Sequence, residues 1–275
     1  MSNGKHYVIP PPPQAALAVA GSSDLFPVRR IWCVGRNYLE HIKEMGQDER
    51  EPPFFFAKPA DAIVPDGGTS PYPSLTKDMH HEVELVVALR SGGRYIPVDK
   101  ALDCVWGYGV GIDLTRRDLQ IASRDIKRPW EVGKAFDASA PCGPLMPVSR
   151  IGHPSKGKIM LKCNGKVRQD GDLAQMIWNV PETISKLSEM VALDAGDIIM
   201  TGTPSGVAAC VAGDKLECEV EGVGKLTVTI GTMSGGRLPN LVADHAAPRP
   251  RSWVSNRART CASVPPTRAC AAGRA

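Results

Sequence analysis

Apolar residues in this chain recur mainly at every second position, the spacing of a half-buried strand, and seldom at the spacing of a helix face. Leu216, Cys218 and Val220 alternate with polar neighbours, as do Leu226, Val228 and Ile230, which predicts a closing hairpin that turns at 221–224. Short strands are expected at 7–9 and 16–20, on either side of the proline run 10–13, and others at 30–34, 54–57, 159–163 and 198–200. The sharpest local signal is Asn164-Gly165 ahead of 166–168, the composition of a type I′ hairpin turn. Helical spacing is confined to two places. Pro181 suits a first helical turn with Ile184, Leu187 and Val191 on one face, and a short helix is expected over 39–45, stopped at Gly46. The polar stretch 47–53 has the composition of a mobile loop. There is no internal repeat and no βαβ rhythm, so the expectation is an α+β, mainly β architecture.

One run adds chemistry to this pattern, His81-Glu82-Val83-Glu84-Leu85-Val86-Val87. On a strand, Glu82 and Glu84 project from one side while Val83, Leu85 and Val87 face a core. Two carboxylates a strand step apart repel unless a cation lies between them, and Mg²⁺, Mn²⁺ and Ca²⁺ favour oxygen ligands. Asp113, in the glycine-rich segment Gly111-Ile112-Asp113, is a candidate for the third oxygen. A solvated acidic face has the same local pattern.

Composition narrows the class. With 275 residues, 43% of them hydrophobic, the chain is long enough for one large domain and a short appendage. No stretch approaches the roughly 20 apolar residues of a membrane span, and the N-terminus lacks the apolar core of a signal peptide. The eight cysteines form no Cys-x-x-Cys pair, which argues against a zinc site or a thioredoxin motif and for reduced thiols in a cytoplasmic protein. The net charge of +4 is unevenly spread. Residues 232–275 carry seven arginines against Asp244, a net +6, which leaves −2 on residues 1–231. Arginine-rich tails can bind nucleic acid, but these arginines are dispersed and only Trp253 is aromatic, so a disordered extension is expected. The expected divisions are an N-terminal β segment over 1–25, a catalytic domain over 26–231 and the tail over 232–275.

From about Phe26 to Ile230, motifs follow one another in a specific order: Gly35-Arg36-Asn37-Tyr38, Phe56-Ala57-Lys58-Pro59, His80-His81-Glu82-Val83-Glu84, the run from Gly111 to Gln120, Gly133-Lys134-Ala135-Phe136-Asp137 and Thr201-Gly202-Thr203-Pro204. In these motifs the chain resembles the fumarylacetoacetate hydrolase family, in particular its short acylpyruvate hydrolases. The resemblance implies a mixed β-sandwich roll with few peripheral helices, assembled as a homodimer. It also implies that Glu82, Glu84 and Asp113 bind Mg²⁺ or Mn²⁺, and that His41 and Glu44 form the catalytic pair. At i and i+3 of a helix those two share a face, so Glu44 can orient His41 to take a proton from water. Their segment is expected to order as a lid over bound substrate.

Arg36, Lys58, Gln120, Lys134 and Thr203 match positions that line the family's pocket. Lys134 would stabilise enolate charge, Thr203 would offer its hydroxyl and backbone N–H to a carboxylate, and Gln120 would orient water or bind the distal carbonyl. Arg36 either grips a far carboxylate or pairs with Glu40 or Glu44. His80 either touches a ligand or orients a glutamate, and Tyr38 and Arg116 act as supports. The implied reaction is hydrolysis of the C3–C4 bond of a 2,4-dioxo acid, with fumarylpyruvate as expected substrate in gentisate-type aromatic catabolism. Two readings stand beside it. One is an oxaloacetate decarboxylase or 2-hydroxyhepta-2,4-diene-dioate isomerase of the same family. The other is a dicarboxylate- or nucleic-acid-binding protein that works through its basic tail.

Overall fold

The computed structural model describes residues 6–38 and 51–233. Two sheets form the body. The larger has eight strands and runs in the order Phe54–Lys58, Arg30–Gly35, Asp197–Met200, Val83–Leu89, Val105–Ile112, Ala140–Cys142 and Ile63–Pro65, with Met146–Pro147 also paired to Val105–Ile112. The smaller has five, in the order Lys166–Asp172, Lys158–Cys163, Lys215–Val220, Gly224–Gly231 and Thr69–Pro71. The fold is mainly β, as the alternation predicts.

Residue period decides what each sheet face buries. Val83, Leu85 and Val87 enter a core with Ile159, Leu161, Leu216 and Leu226 of the five-stranded sheet, and with Ile184 and Leu187 of the helix Val180–Met190. Val86 and Ala88 of the same strand enter a second core with Ile31, Ile198, Met200, Leu17 and Phe26. Leu17 and Phe26 belong to the N-terminal pair Ala16–Ala18 and Leu25–Pro27. All seven residues of Val83–Leu89 are therefore buried. Only the start of this strand carries the polar face expected from Glu82 and Glu84; beyond Glu84 both faces are apolar. Each large side chain so buried contributes on the order of 1.5–3 kcal/mol, which makes the strand a rigid platform for the carboxylates.

Local signals explain several elements. Asn164 and Gly165 have φ of 52° and 76°, the two positive values that a type I′ turn requires. The second strand of this hairpin runs on to Asp172, beyond the expected 166–168. Helix Val180–Met190 starts with a reciprocal capping box between Asn179 and Glu182 and has proline in its first turn. Two expectations change. Residues 7–9 form no strand and are exposed, because the prolines that follow have no N–H to enter a ladder. Arg117–Asp125 is a helix that the motif reading passed over. The helix expected over 39–45, the lid, loop residues 47–50 and the tail from 234 lie outside the described residues. No helix among the described residues is long and apolar enough to cross a membrane.

Candidate active site and metal centre

The carboxylates meet where one extended run passes from sheet to sheet. Met79–His81 pairs with Thr115–Arg116 and Ala208–Ala209 in a small three-stranded sheet, and Val83 begins the central strand of the large one. Glu82 sits at the break between them. Val83 lies opposite Ile112 and Glu84 opposite Gly111, while the Asp113 N–H donates to the Glu82 carbonyl at 2.8 Å. This register sets Asp113 beside both glutamates. Gly111 permits the close packing, since a Cβ there would lie 2.7 Å from the Val86 side chain and 2.9 Å from that of Met200. One oxygen from each of Glu82, Glu84 and Asp113 lies within 4.8 Å of the others, and all three residues are buried.

Three cations answer two of these carboxylates. Lys134 Nζ donates to Glu82 Oε2 at 2.8 Å, Asp113 Oδ2 at 2.6 Å and Thr115 Oγ1 at 2.7 Å. Arg117 pairs with Glu82 Oε1 and also donates to Gln120 Oε1. Lys58 Nζ lies 2.8 Å from Asp113 Oδ1. Glu84 has no ion pair among the described residues; its Oε2 accepts from the Gly202 N–H at 2.7 Å. Gly202 has φ of +92°, in the left-handed region that favours glycine.

The titration behaviour follows this division. Burial, then the charges of Asp113 and Glu82, push the Glu84 carboxyl well above its ordinary value. Burial acts in the same sense on Glu82, but Lys134 and Arg117 outweigh it and hold that carboxyl well below the usual range. For Lys134 burial opposes the charge, and Asp113 and Glu82 overcome it and raise the ammonium's pKa.

A divalent cation fits this donor set. Three hard oxygens converge, and one of them is a buried carboxyl facing two others without a cation of its own. A proton and a metal ion then compete for Glu84. Mn²⁺ affinity is therefore expected to rise with pH, by up to about tenfold per unit while Glu84 still holds its proton. Calorimetric titration with Mn²⁺ at pH 5.5, 6.5 and 7.5 checks this, and a flat profile would remove Glu84 from the ligand set.

A cavity of about 400 Å³ opens on the trio, and Arg36, Arg117, Gln120, Lys134 and Thr203 also line it. Lys58 does not: its side chain is fully buried and it donates to the Leu114 and Lys134 carbonyls besides facing Asp113. The expected direct substrate contact by Lys58 gives way to a holding role. Thr203 reaches the cavity, but its hydroxyl hydrogen goes to the Val83 carbonyl at 2.8 Å, so the expected donation from that hydroxyl gives way as well. His80 lines the cavity with its Nε2 2.9 Å from Asp78 Oδ1. A second cavity of about 410 Å³ shares Arg36, Phe56 and Trp130 with the first. Trp130 meets Phe54 edge-on at 4.9 Å and Phe56 at 6.0 Å. His41 and Glu44 lie outside the described residues.

The fumarylacetoacetate hydrolase C-terminal family matches residues 30–231. The chain belongs to this family. It is 50% identical to a solved fumarylpyruvate hydrolase from Pseudomonas aeruginosa, in complex with Mn²⁺ and pyruvate, with a TM-score of 0.80 over 82% of this chain and 100% of that one. A fumarylpyruvate hydrolase from Ralstonia sp is 40% identical over 181 residues, 66% of this chain and 94% of the relative. A mitochondrial oxaloacetate tautomerase from Homo sapiens is 37% identical over 211 residues, 74% and 96% of the two chains. The fumarylacetoacetate hydrolase family is thus enzymatic, and its members differ in reaction.

Two residues of this family member went unassigned in the sequence reading. Arg117 joins Glu82 to Gln120, and its spacing of three and seven from Gln120 and Arg124 is a helical signal that lay in plain view. Gln169 is fully buried behind Thr203, in a strand whose neighbours are mostly exposed. Nothing in its immediate sequence marks it.

Proposed function

We propose that the protein is a metal-dependent acylpyruvate hydrolase that cleaves fumarylpyruvate to fumarate and pyruvate. The observation that carries this reading is one cavity in which three convergent buried carboxylates stand against the Lys134 ammonium. The likeness to fumarylpyruvate hydrolases supports it. A divalent ion, Mg²⁺ or Mn²⁺, held by Glu82, Glu84 and Asp113 supplies Lewis acidity toward the 2-oxo carboxylate end of the substrate. His41, oriented by Glu44, takes a proton from a water whose oxygen adds to the C4 carbonyl. The C3–C4 bond then breaks with its electron pair moving to C3, and Lys134 stands where that enolate charge develops. Return of a proton to C3 gives pyruvate, and the acyl half leaves as fumarate. Gln120 and Thr203 orient the substrate from the cavity wall.

The acyl half has room to extend. The second cavity continues past Phe56 and Trp130, whose aromatic faces suit a planar conjugated chain, and Arg36 borders both spaces as a partner for a terminal carboxylate. A cytoplasmic homodimer belongs to the same reading and rests on the family resemblance alone. The tautomerase relative supports a second reading, enolate chemistry on oxaloacetate without attack by water. One assay separates them: purified protein with Mn²⁺ or Mg²⁺ receives fumarylpyruvate and oxaloacetate separately, as wild type and as His41→Ala. Metal-dependent loss of fumarylpyruvate that falls by roughly 10²–10⁴-fold in the variant is the expected result. Turnover of oxaloacetate alone, or hydrolysis that survives the substitution, would promote the second reading.

A further inference from the structure

We propose that Gln169 is a positioning residue that clasps the metal-ligand strand to the Thr203 turn, and so sets the spacing between the metal centre and the substrate. Its side chain is fully buried and every hydrogen-bonding position of the amide is engaged. Oε1 accepts from the Val83 N–H at 3.1 Å and from His81 Nδ1 at 3.0 Å. Nε2 donates to Thr203 Oγ1 at 2.7 Å and to the Pro204 carbonyl at 2.9 Å. The amide cannot be turned over, because a backbone N–H can only donate and a carbonyl can only accept. The proton on His81 is fixed on Nδ1 for the same reason.

The two ends of this amide hold different parts of the site. His81 and Val83 flank Glu82, so Oε1 grips the chain on both sides of a carboxylate of the metal trio. Thr203 and Pro204 follow Gly202, whose N–H holds Glu84, and Thr203 itself lines the cavity. The Thr203 hydroxyl accepts from Gln169 and donates to the Val83 carbonyl, which closes the clasp on itself. Gln169 belongs to Lys166–Asp172 of the five-stranded sheet, whereas Val83 starts the central strand of the eight-stranded one. Elsewhere the two sheets share an apolar core, whose packing tolerates small slips; four directed hydrogen bonds do not.

The inference rests on the reading of the cavity as a metal and 2-oxo acid site, and its test avoids turnover. The probes are Mn²⁺ alone and pyruvate added to the Mn²⁺-loaded protein, both followed by calorimetry, with thermal unfolding alongside. In Gln169→Leu both arms are lost, and Mn²⁺ and pyruvate are each expected to bind about 10–100-fold more weakly, the usual effect of losing a group that orients metal ligands. In Thr203→Val the bond from Gln169 Nε2 and the bond to the Val83 carbonyl are lost while both Oε1 bonds to the metal-ligand strand remain, so pyruvate is expected to weaken more than Mn²⁺ does. Gln169→Glu keeps the oxygen acceptor and loses the Nε2 donors; it is expected to follow Thr203→Val, and it serves if the leucine variant does not fold. The double variant Gln169→Glu with Thr203→Val is expected to weaken pyruvate by less than the sum of the two single losses, because both break the Gln169–Thr203 bond. Variants that melt earlier but bind Mn²⁺ and pyruvate as wild type does would overturn the proposal and leave Gln169 a packing residue. Additive losses in the double variant would also overturn it. Wild type that binds both probes without hydrolysing fumarylpyruvate would refute the hydrolase reading and leave this test standing.

Discussion

Glu84→Gln is expected to abolish Mn²⁺ binding and turnover, while the metal-free protein unfolds at the same or a higher temperature than wild type. The glutamate is buried against Asp113 and Glu82 and its carboxyl is pushed well above its ordinary value. Glutamine copies the shape of the neutral acid, and its oxygen can still accept from the Gly202 N–H. A carboxyl whose pKa is raised in the folded state favours folding below the ordinary carboxylate range, and that contribution is lost as pH climbs through the raised value. Metal-free wild type should therefore lose stability with rising pH in a way the variant does not, and the gap between their melting temperatures should widen. Mn²⁺ reverses the ranking. At 100 times its dissociation constant it stabilises wild type by about 2.7 kcal/mol, roughly 5–11 °C for a domain of this size. The variant should show no such rise. Unchanged Mn²⁺ affinity would take Glu84 out of the centre, and a lower metal-free melting temperature would mean its charge is neutralised by a partner.

What could be read from the residues alone, and what could not, divides along a physical line. The central strand, the Asn164-Gly165 hairpin and the helix opened by Pro181 follow from short-range rules, the two-residue period, positive φ and the missing proline N–H. Glu82 and Glu84 inherit their shared side from that same period, and Asp113, a candidate third oxygen from its glycine-rich segment, does lie beside them in a group that could hold a metal ion. The division of labour between Lys58 and Lys134 was not legible. Both are buried lysines in short motifs, and only the packed structure turns one ammonium to the cavity and the other toward two carbonyls behind it. Gln169 is harder still, because burial of one polar residue in a mostly exposed strand depends on Val83, 86 residues away in the chain and on the other sheet. Residues 7–9 misled for the opposite reason: their own composition suits a strand, but a strand needs a partner and the prolines beside them deny one.

Lys134→Met is expected to separate metal affinity from catalysis. In the metal-free protein the ammonium answers Glu82 and Asp113 together, at 2.8 and 2.6 Å, inside a fully buried setting. Removing it leaves Glu82 with Arg117 and Asp113 with Lys58 as their remaining cations, so the loss is expected to reach at most about 3–5 kcal/mol, that of an uncompensated buried charge, or at most roughly 6–20 °C in melting temperature. The same loss removes the competitor that a divalent ion meets at those two carboxylates. Mn²⁺ should therefore bind the variant more tightly than wild type and restore most of its stability. Turnover of fumarylpyruvate should not recover. With the cation gone from the place where enolate charge develops, kcat is expected to fall by about 10²–10³-fold even at saturating Mn²⁺. Lys134→Arg keeps the charge but not the compact three-way geometry to Glu82, Asp113 and Thr115, so it should regain stability without metal and little activity. Weaker Mn²⁺ binding in Lys134→Met would mean that the ammonium holds the ligand oxygens in register rather than competing for them. Full activity in that variant would place the enolate elsewhere in the cavity, with Arg117 as the next cation to test.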